Sequence, residues 1–204
     1  METVQPTKPG ILLYTEQTPN PESLKFVSNR MLYQGIADFK DKELAEAWSP
    51  LASSLYKEDF VQSVYISNNF VTITKKPGYD WQEIMISAKE TLKKIIEQES
   101  VLIKEGFEAF RMQQEADSSE GNFDEKDAEL VLRIKDMIQM YVKPAVEMDG
   151  GNIEFKSYRD GIVTVSMQGS CSGCPSSTIT LKAGIEGLLK RMVPEVQEVV
   201  AEAE

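Results

Sequence analysis

The 204-residue chain contains no histidine. That absence excludes every chemistry that needs an imidazole: a Ser/His/Asp triad, a histidine general base, a histidine-ligated metal. Cysteine is scarce, with two residues, too few for the disulfide framework of a small secreted domain, so a reducing cytosol is the expected setting. Clusters of basic residues are missing too: Lys75-Lys76 and Lys93-Lys94 are isolated pairs in a chain of formal net charge −11. Phosphate contacts need grouped Lys and Arg, which argues against nucleic acid and anionic membrane as partners. No apolar run approaches the ~20 residues of a membrane-spanning helix. Residues 1–10 are polar, carry two prolines, and show neither the apolar core of a secretory signal nor an Arg-rich amphipathic pattern.

What remains is an ordinary globular composition, 41% hydrophobic and 27% charged, in a length that suits one or two domains. Composition shifts once. Gln113-Gln114-Glu115-Ala116-Asp117-Ser118-Ser119-Glu120-Gly121-Asn122 is polar, acidic and without an apolar stripe, and reads as a solvated, flexible linker over residues 104–124. Charge divides on either side of it. Residues 1–100 carry 11 basic and 14 acidic groups; residues 101–204 carry 11 and 19. The expected domains are 1–103 and 125–204.

In the first, Ile11 to Thr15 and Ser23 to Val27 read as strands around Thr18-Pro19-Asn20-Pro21, where neither proline can donate to a ladder. The Thr18 to Pro21 stretch reads as a rigid turn rather than a partner-binding loop. Leu44, Ala47, Trp48, Leu51 and Leu55 recur at helical spacing behind Asp41, a candidate N-cap. Asn68-Asn69 lies between two apolar runs and predicts a hairpin. A second helix carries Trp81, Ile84, Met85, Ala88, Leu92, Ile95 and Ile96 on one face. The second domain opens with a helix bearing Leu130, Ile134, Met137, Ile138 and Tyr141, which Pro144 is expected to stop. Paired strands follow around Asp160-Gly161, then a helix with Leu181, Ile185, Leu188, Leu189 and Met192 inward, then a short strand from Val196 to Ala201. The fold class is α+β: two small domains, each a short, mostly antiparallel sheet packed with helices.

Chemistry concentrates in Cys171-Ser172-Gly173-Cys174, the only two thiols, between a predicted strand and a predicted helix. Pro175 suits the first helical position, which places both thiols beside a helix N-terminus, where thiolate is favoured and the thiol pKa is expected to fall. Gly169, Ser170, Ser172 and Gly173 leave the backbone bare for a sulfide-bearing cluster to approach. Spacing alone leaves a dithiol redox pair, a zinc site and an iron–sulfur site open. Two thiolates are half of the four ligands that zinc or a cluster takes, and no histidine can complete a set. Two chains related by a twofold axis, each contributing Cys171 and Cys174, would complete it. Against an oxidoreductase with Cys171 as nucleophile stand Gly169-Ser170 in place of a preceding aromatic residue, a Ser-Gly turn interior, and no room for a βαβ unit. A zinc-stapled dimer is the structural alternative.

Gly169 to Thr178, with Met148-Asp149-Gly150-Gly151 upstream, resembles the C-terminal domain of the NifU family, and the likeness runs from about Glu125 to Ala203. Thr18-Pro19-Asn20-Pro21 followed by Leu24-Lys25-Phe26 is similar to the N-terminal domain of Nfu-type proteins. The resemblance implies a non-enzymatic carrier or scaffold for iron–sulfur cluster assembly. It would hold a [4Fe–4S] cluster (with [2Fe–2S] as the alternative) on the family's ligand positions, Cys171 and Cys174. It would bind it as a homodimer, receive it from an upstream assembly scaffold and pass it to apo iron–sulfur proteins. With no targeting sequence in view, a bacterial, cytoplasmic member is expected.

Overall fold

In the computed structural model, the backbone is described for residues 10–119, 123–172 and 175–202. The first domain is built on five antiparallel strands: β1 (Leu13–Gln17), β2 (Ser23–Ser28), β3 (Tyr33–Phe39), β4 (Val61–Asn68) and β5 (Phe70–Lys75), in the order β1-β2-β5-β4-β3. The hairpin expected at Asn68-Asn69 joins β4 to β5, with Asn68 at φ 49°, a conformation that Asn tolerates and β-branched residues do not. β3 has no counterpart in the sequence reading. Gly35, at φ 148°, interrupts its alternation and accompanies a register shift against β4.

The predicted single helix at Leu44–Leu55 is two. α1 (Lys42–Trp48) and α2 (Pro50–Leu55) meet at Ser49, whose hydroxyl accepts from Ala52 N at 3.0 Å and caps the second. Asp41 caps the first, as expected, accepting from Leu44 N at 2.7 Å. α3 (Trp81–Gln98), capped by Asp80, buries Ala88, Leu92, Ile95 and Ile96. These helices cover one sheet face, where Phe26, Phe39, Val64, Ile66, Val71 and Ile73 form the core.

Part of the stretch expected to be a flexible linker is helical: α4 spans Phe107–Ser119. Its first residue, Phe107, is 3% exposed and belongs to the first domain's core. The ring lies 5.3 Å from Phe39, 5.9 Å from Trp48 and 6.4 Å from Tyr33, and Phe110 stacks on Trp48 at 4.9 Å. Lys104 donates to the carbonyls of Ala47 and Glu46, at the C-terminal end of α1 where a cation is favoured. Residues 120–122 lie outside the described residues.

The second domain starts with α5 (Ala128–Met137). Pro144 does not stop this helix. A π-helical turn at Ile138–Val142, in which Lys143 N donates to Ile138 O, leads into α6 (Lys143–Met148). The widened turn accommodates a proline that has no N–H to give. β6 (Gly151–Arg159) and β7 (Ile162–Gly169) form the antiparallel pair around Asp160-Gly161, both at positive φ. After α7 (Pro175–Met192), β8 (Glu198–Ala201) adds to β7 in parallel. The core collects Ile134, Ile138, Val146, Ile153, Val163, Val165, Ile185, Leu189 and Val199. Tyr141 and Met192, expected inward, are 52% and 46% exposed.

Candidate functional site

Strand alternation in the first domain should send Lys25, Thr72 and Thr74 to solvent, opposite Phe26, Val71 and Ile73. They are instead 8%, 1% and 5% exposed, because the second domain covers that face of the sheet. What it lays there is the cysteine turn and the glycine turn beside it.

The two turns interlock through their backbones. β7 ends at Gly169 with φ 65°, where a Cβ would come within 2.7 Å of Gly150 O and 2.9 Å of the Tyr65 ring, so only glycine fits. Ser170 N donates to Gly150 O at 3.2 Å, and the Ser170 hydroxyl to Asp149 O at 2.7 Å. Cys171 follows, 6% exposed and part of the second domain's core. Its Sγ faces Gly151, where an added Cβ would lie 2.8 Å away. Ser172 N closes the turn on Gly169 O at 3.2 Å, and α7 begins at Pro175 as the sequence predicts. Cys174 and Gly173 lie outside the described residues.

Burial sets the electrostatics. The Cys171 thiol is pushed up to about 11, first by desolvation and further by the nearby Asp149 carboxylate, against a lowering hydrogen bond from Ser170. This corrects the expectation of a lowered thiol pKa beside the helix N-terminus: loss of water outweighs the dipole here. Burial likewise raises the Asp149 carboxyl, with the Lys25 ammonium opposing it.

Donors from the first domain complete the site, and sequence reasoning missed all of them. Lys25 Nζ donates to Met148 O at 2.8 Å, Thr72 Oγ1 to Gly150 O at 2.8 Å, and Tyr65 OH to Gly151 O at 3.4 Å. Asn20 Nδ2 reaches Ser172 O at 3.2 Å. The Thr18–Pro21 stretch is the rigid turn expected: Asn20 Oδ1 accepts from Glu22 N at 2.9 Å and Thr18 Oγ1 from Asn20 N at 3.2 Å. Alternation places Lys25 and Thr72 opposite the core side of the sheet, and carries no sign that a second domain receives them.

Chemically, Cys171 offers a soft sulfur donor of the kind that iron or zinc takes, once its proton has left. Among the described residues no group of three or more His, Cys, Asp or Glu side chains is placed to hold a metal ion. Nor is any helix among them long and apolar enough to cross a membrane.

Comparison with known proteins finds relatives of both domains. The NifU-like domain family matches residues 134–200, and the family described as scaffold protein Nfu/NifU N terminal matches residues 13–99. The chain is 38% identical to the mitochondrial NifU-like protein 4 of Arabidopsis thaliana, covering 94% of this chain and 66% of that one. It is 36% identical to the mitochondrial iron-sulfur cluster scaffold homolog of Homo sapiens, covering 93% and 71%. The chain thus spans about two thirds of the length of the curated relatives it matches. A solution structure of a NifU-like protein from Saccharomyces cerevisiae, 26% identical, aligns over 52% of this chain and 94% of that one with a TM-score of 0.44. The relatives from Arabidopsis, Drosophila and human are all named mitochondrial, which overturns the expectation of a bacterial, cytoplasmic protein. That expectation rested on where the sequence begins, which decides nothing about location. With both domain types matched in order, and a relative above one-third identity covered over most of its length, the chain belongs to the Nfu family of NifU-like proteins.

Proposed function

We propose that this protein is a carrier that holds an iron–sulfur cluster, of the [4Fe–4S] type, between two copies of the chain and releases it to apo-proteins. The observation that carries the proposal is the ligand inventory. The chain's only two thiols stand three apart where β7 gives way to α7, and no histidine can supplement them. A cluster takes four protein ligands, which Cys171 and Cys174 of two chains supply together. Relatives named as iron-sulfur cluster scaffolds support the cargo. The cluster is cargo and leaves unchanged, so the protein acts without turnover. An upstream assembly scaffold delivers it and apo iron–sulfur proteins receive it. The two functional units are residues 125–204 and the first domain, taken beyond residue 103 to include Phe107 and α4.

The test is anaerobic reconstitution with iron and sulfide, followed by iron counting and native mass measurement. Four irons per two chains are expected, at twice the 22.9 kDa monomer mass. Cys171→Ser and Cys174→Ser should each lose stable binding. A loaded species at the monomer mass, or a Cys174→Ser chain that retains four irons per dimer, would overturn the proposal.

A further inference from the structure

Apart from Arg111, which donates from α4 to Glu154 of β6 at 3.4 Å, the hydrogen bonds described from the first domain to the second gather at one place. Lys25, Thr72, Tyr65 and Asn20 donate to the carbonyls of Met148, Gly150, Gly151 and Ser172, all in the two turns that surround Cys171. Glycines make the approach possible. A Cβ on Gly150, at φ 83°, would meet Thr72 Oγ1 at 2.7 Å and Lys25 Cδ at 3.2 Å; one on Gly169 would meet the Tyr65 ring at 2.9 Å. Val27, Tyr65 and Phe70 form a small apolar cluster of their own, separate from the first domain's main core. Asn20 is fully buried and grips Ser172, which stands between the two cysteines in sequence. Lys25 and Thr72, both buried on this face of the sheet, donate into the glycine turn of the second domain.

We infer that this face of the first domain's sheet is a latch for the chain's own cysteine turn, and that it must lift before a second copy's turn can share a cluster with it. The inference rests on the cluster reading above. Sharing requires two Cys171–Cys174 turns to face each other across a cluster a few ångströms wide. In the latched form Asn20 of the Thr18–Pro21 turn stands at Ser172, Tyr65 of β4 at Gly151, and Lys25 of β2 and Thr72 of β5 at Met148 and Gly150. The same sheet is therefore the gate on loading, and it returns to the turn when the cluster leaves. These four donors meet backbone carbonyls of the two turns, and Lys25 also pairs with Glu16 of its own domain at 2.9 Å.

The test uses the full chain. In a Cys174→Ser background Cys171 is the sole thiol, and its alkylation by iodoacetamide reads its access. Thr72→Val together with Lys25→Met removes two donors while keeping side-chain bulk, and should raise the alkylation rate about tenfold or more, since ~1.4 kcal/mol corresponds to a factor of ten. Amide exchange in β4 and β5 should stay protected, showing that the sheet itself is intact. In the chain with both cysteines, the same pair of substitutions should speed cluster uptake from iron and sulfide. Unchanged alkylation overturns the latch. Faster alkylation with unchanged uptake overturns its role as a gate. Failure of every variant, parent included, to take up a cluster refutes the cluster reading instead. Should the double variant lose the sheet, Lys25→Met alone, which keeps an unbranched apolar side chain but removes the ammonium that lies 4.6 Å over the Phe70 ring, is read by the same criteria.

Discussion

Phe107→Ala separates two views of the segment between the domains. As part of a solvated linker, Phe107 could be truncated with an effect within ~0.5 kcal/mol. As a core residue at 3% exposure, ringed by Phe39, Trp48, Tyr33 and Phe110, it should cost about 3–5 kcal/mol, the range for buried Phe→Ala. Against a total stability of roughly 5–15 kcal/mol, that loss leaves the first domain marginal. The assay is built into the chain, because both of its tryptophans, Trp48 and Trp81, lie in the first domain. Urea unfolding followed by tryptophan emission therefore reports that domain. With a slope of roughly 1–2 kcal/mol/M, the midpoint should fall by about 2 M. Met112→Ala serves as the control: it sits on the same helix at 56% exposure and should move the midpoint little. A Phe107→Ala midpoint as close to the parent's as that of Met112→Ala would refute the assignment of α4 to the first domain's core.

Three further outcomes are expected. In a Cys174→Ser chain, a Cys171 thiol pushed up from 9.0 to about 11 keeps its proton at pH 8, so alkylation there should be about a hundredfold slower than at an ordinary thiol and should climb until pH nears 11; a plateau at or below pH 9 contradicts the buried, protonated thiol. Gly169→Ala forces a Cβ into the left-handed region and to within 2.7 Å of Gly150 O; it should cost about 2–4 kcal/mol, and a melting temperature within 2 °C of the parent, the margin expected of a neutral surface change, argues against this packing. Removing residues 1–119 should leave cluster binding nearly intact but slow transfer to at least one apo-enzyme at low protein concentration, because a tethered docking domain raises local concentration to the order of millimolar. Equal transfer rates across several apo-clients would show the first domain dispensable for delivery.

Much of this fold was legible because local chemistry and tertiary position agree. The Asn68-Asn69 turn, the Asp41 cap and the Asp160-Gly161 turn each depend on backbone preferences that neighbours in sequence decide. β3 was not legible, because Gly35 breaks its alternation and its partner, β4, is some thirty residues away. α4 was missed because its apolar anchors, Phe107 and Phe110, sit only in its first turn, while the rest of the helix is polar. At the site, the position of Cys171 before α7 was readable, but its protonation was not. Helix dipoles follow from sequence order; desolvation follows from what packs on top, here Gly151 and a core assembled from distant segments. Lys25, Thr72 and Tyr65 alternate with core residues along their strands, a pattern that by itself is that of a solvent face and says nothing of the second domain that packs on it.

The π-helical turn at Ile138–Val142 bears on how the family can vary in length. A π-turn is in effect one inserted residue, and each residue of an α-helix turns the chain by about 100° and advances it by about 1.5 Å. α5 and α6 form one rod through this turn, and the rod's far end is Met148, whose carbonyl Lys25 holds. Deleting a single residue there would restore an α-turn and leave Met148, Asp149 and Gly150 at nearly the same angle around the axis, because the widened turn absorbs the extra residue, but it would set the Pro144 ring against the carbonyl four residues back. The glycine turn would keep its approach to Thr72 and the Cys171 sulfur, and the cost would fall on the helix itself. The widened turn thus works as a slack link: it takes up one residue and a proline without changing where a helix anchored in one core delivers its end to a surface of the other.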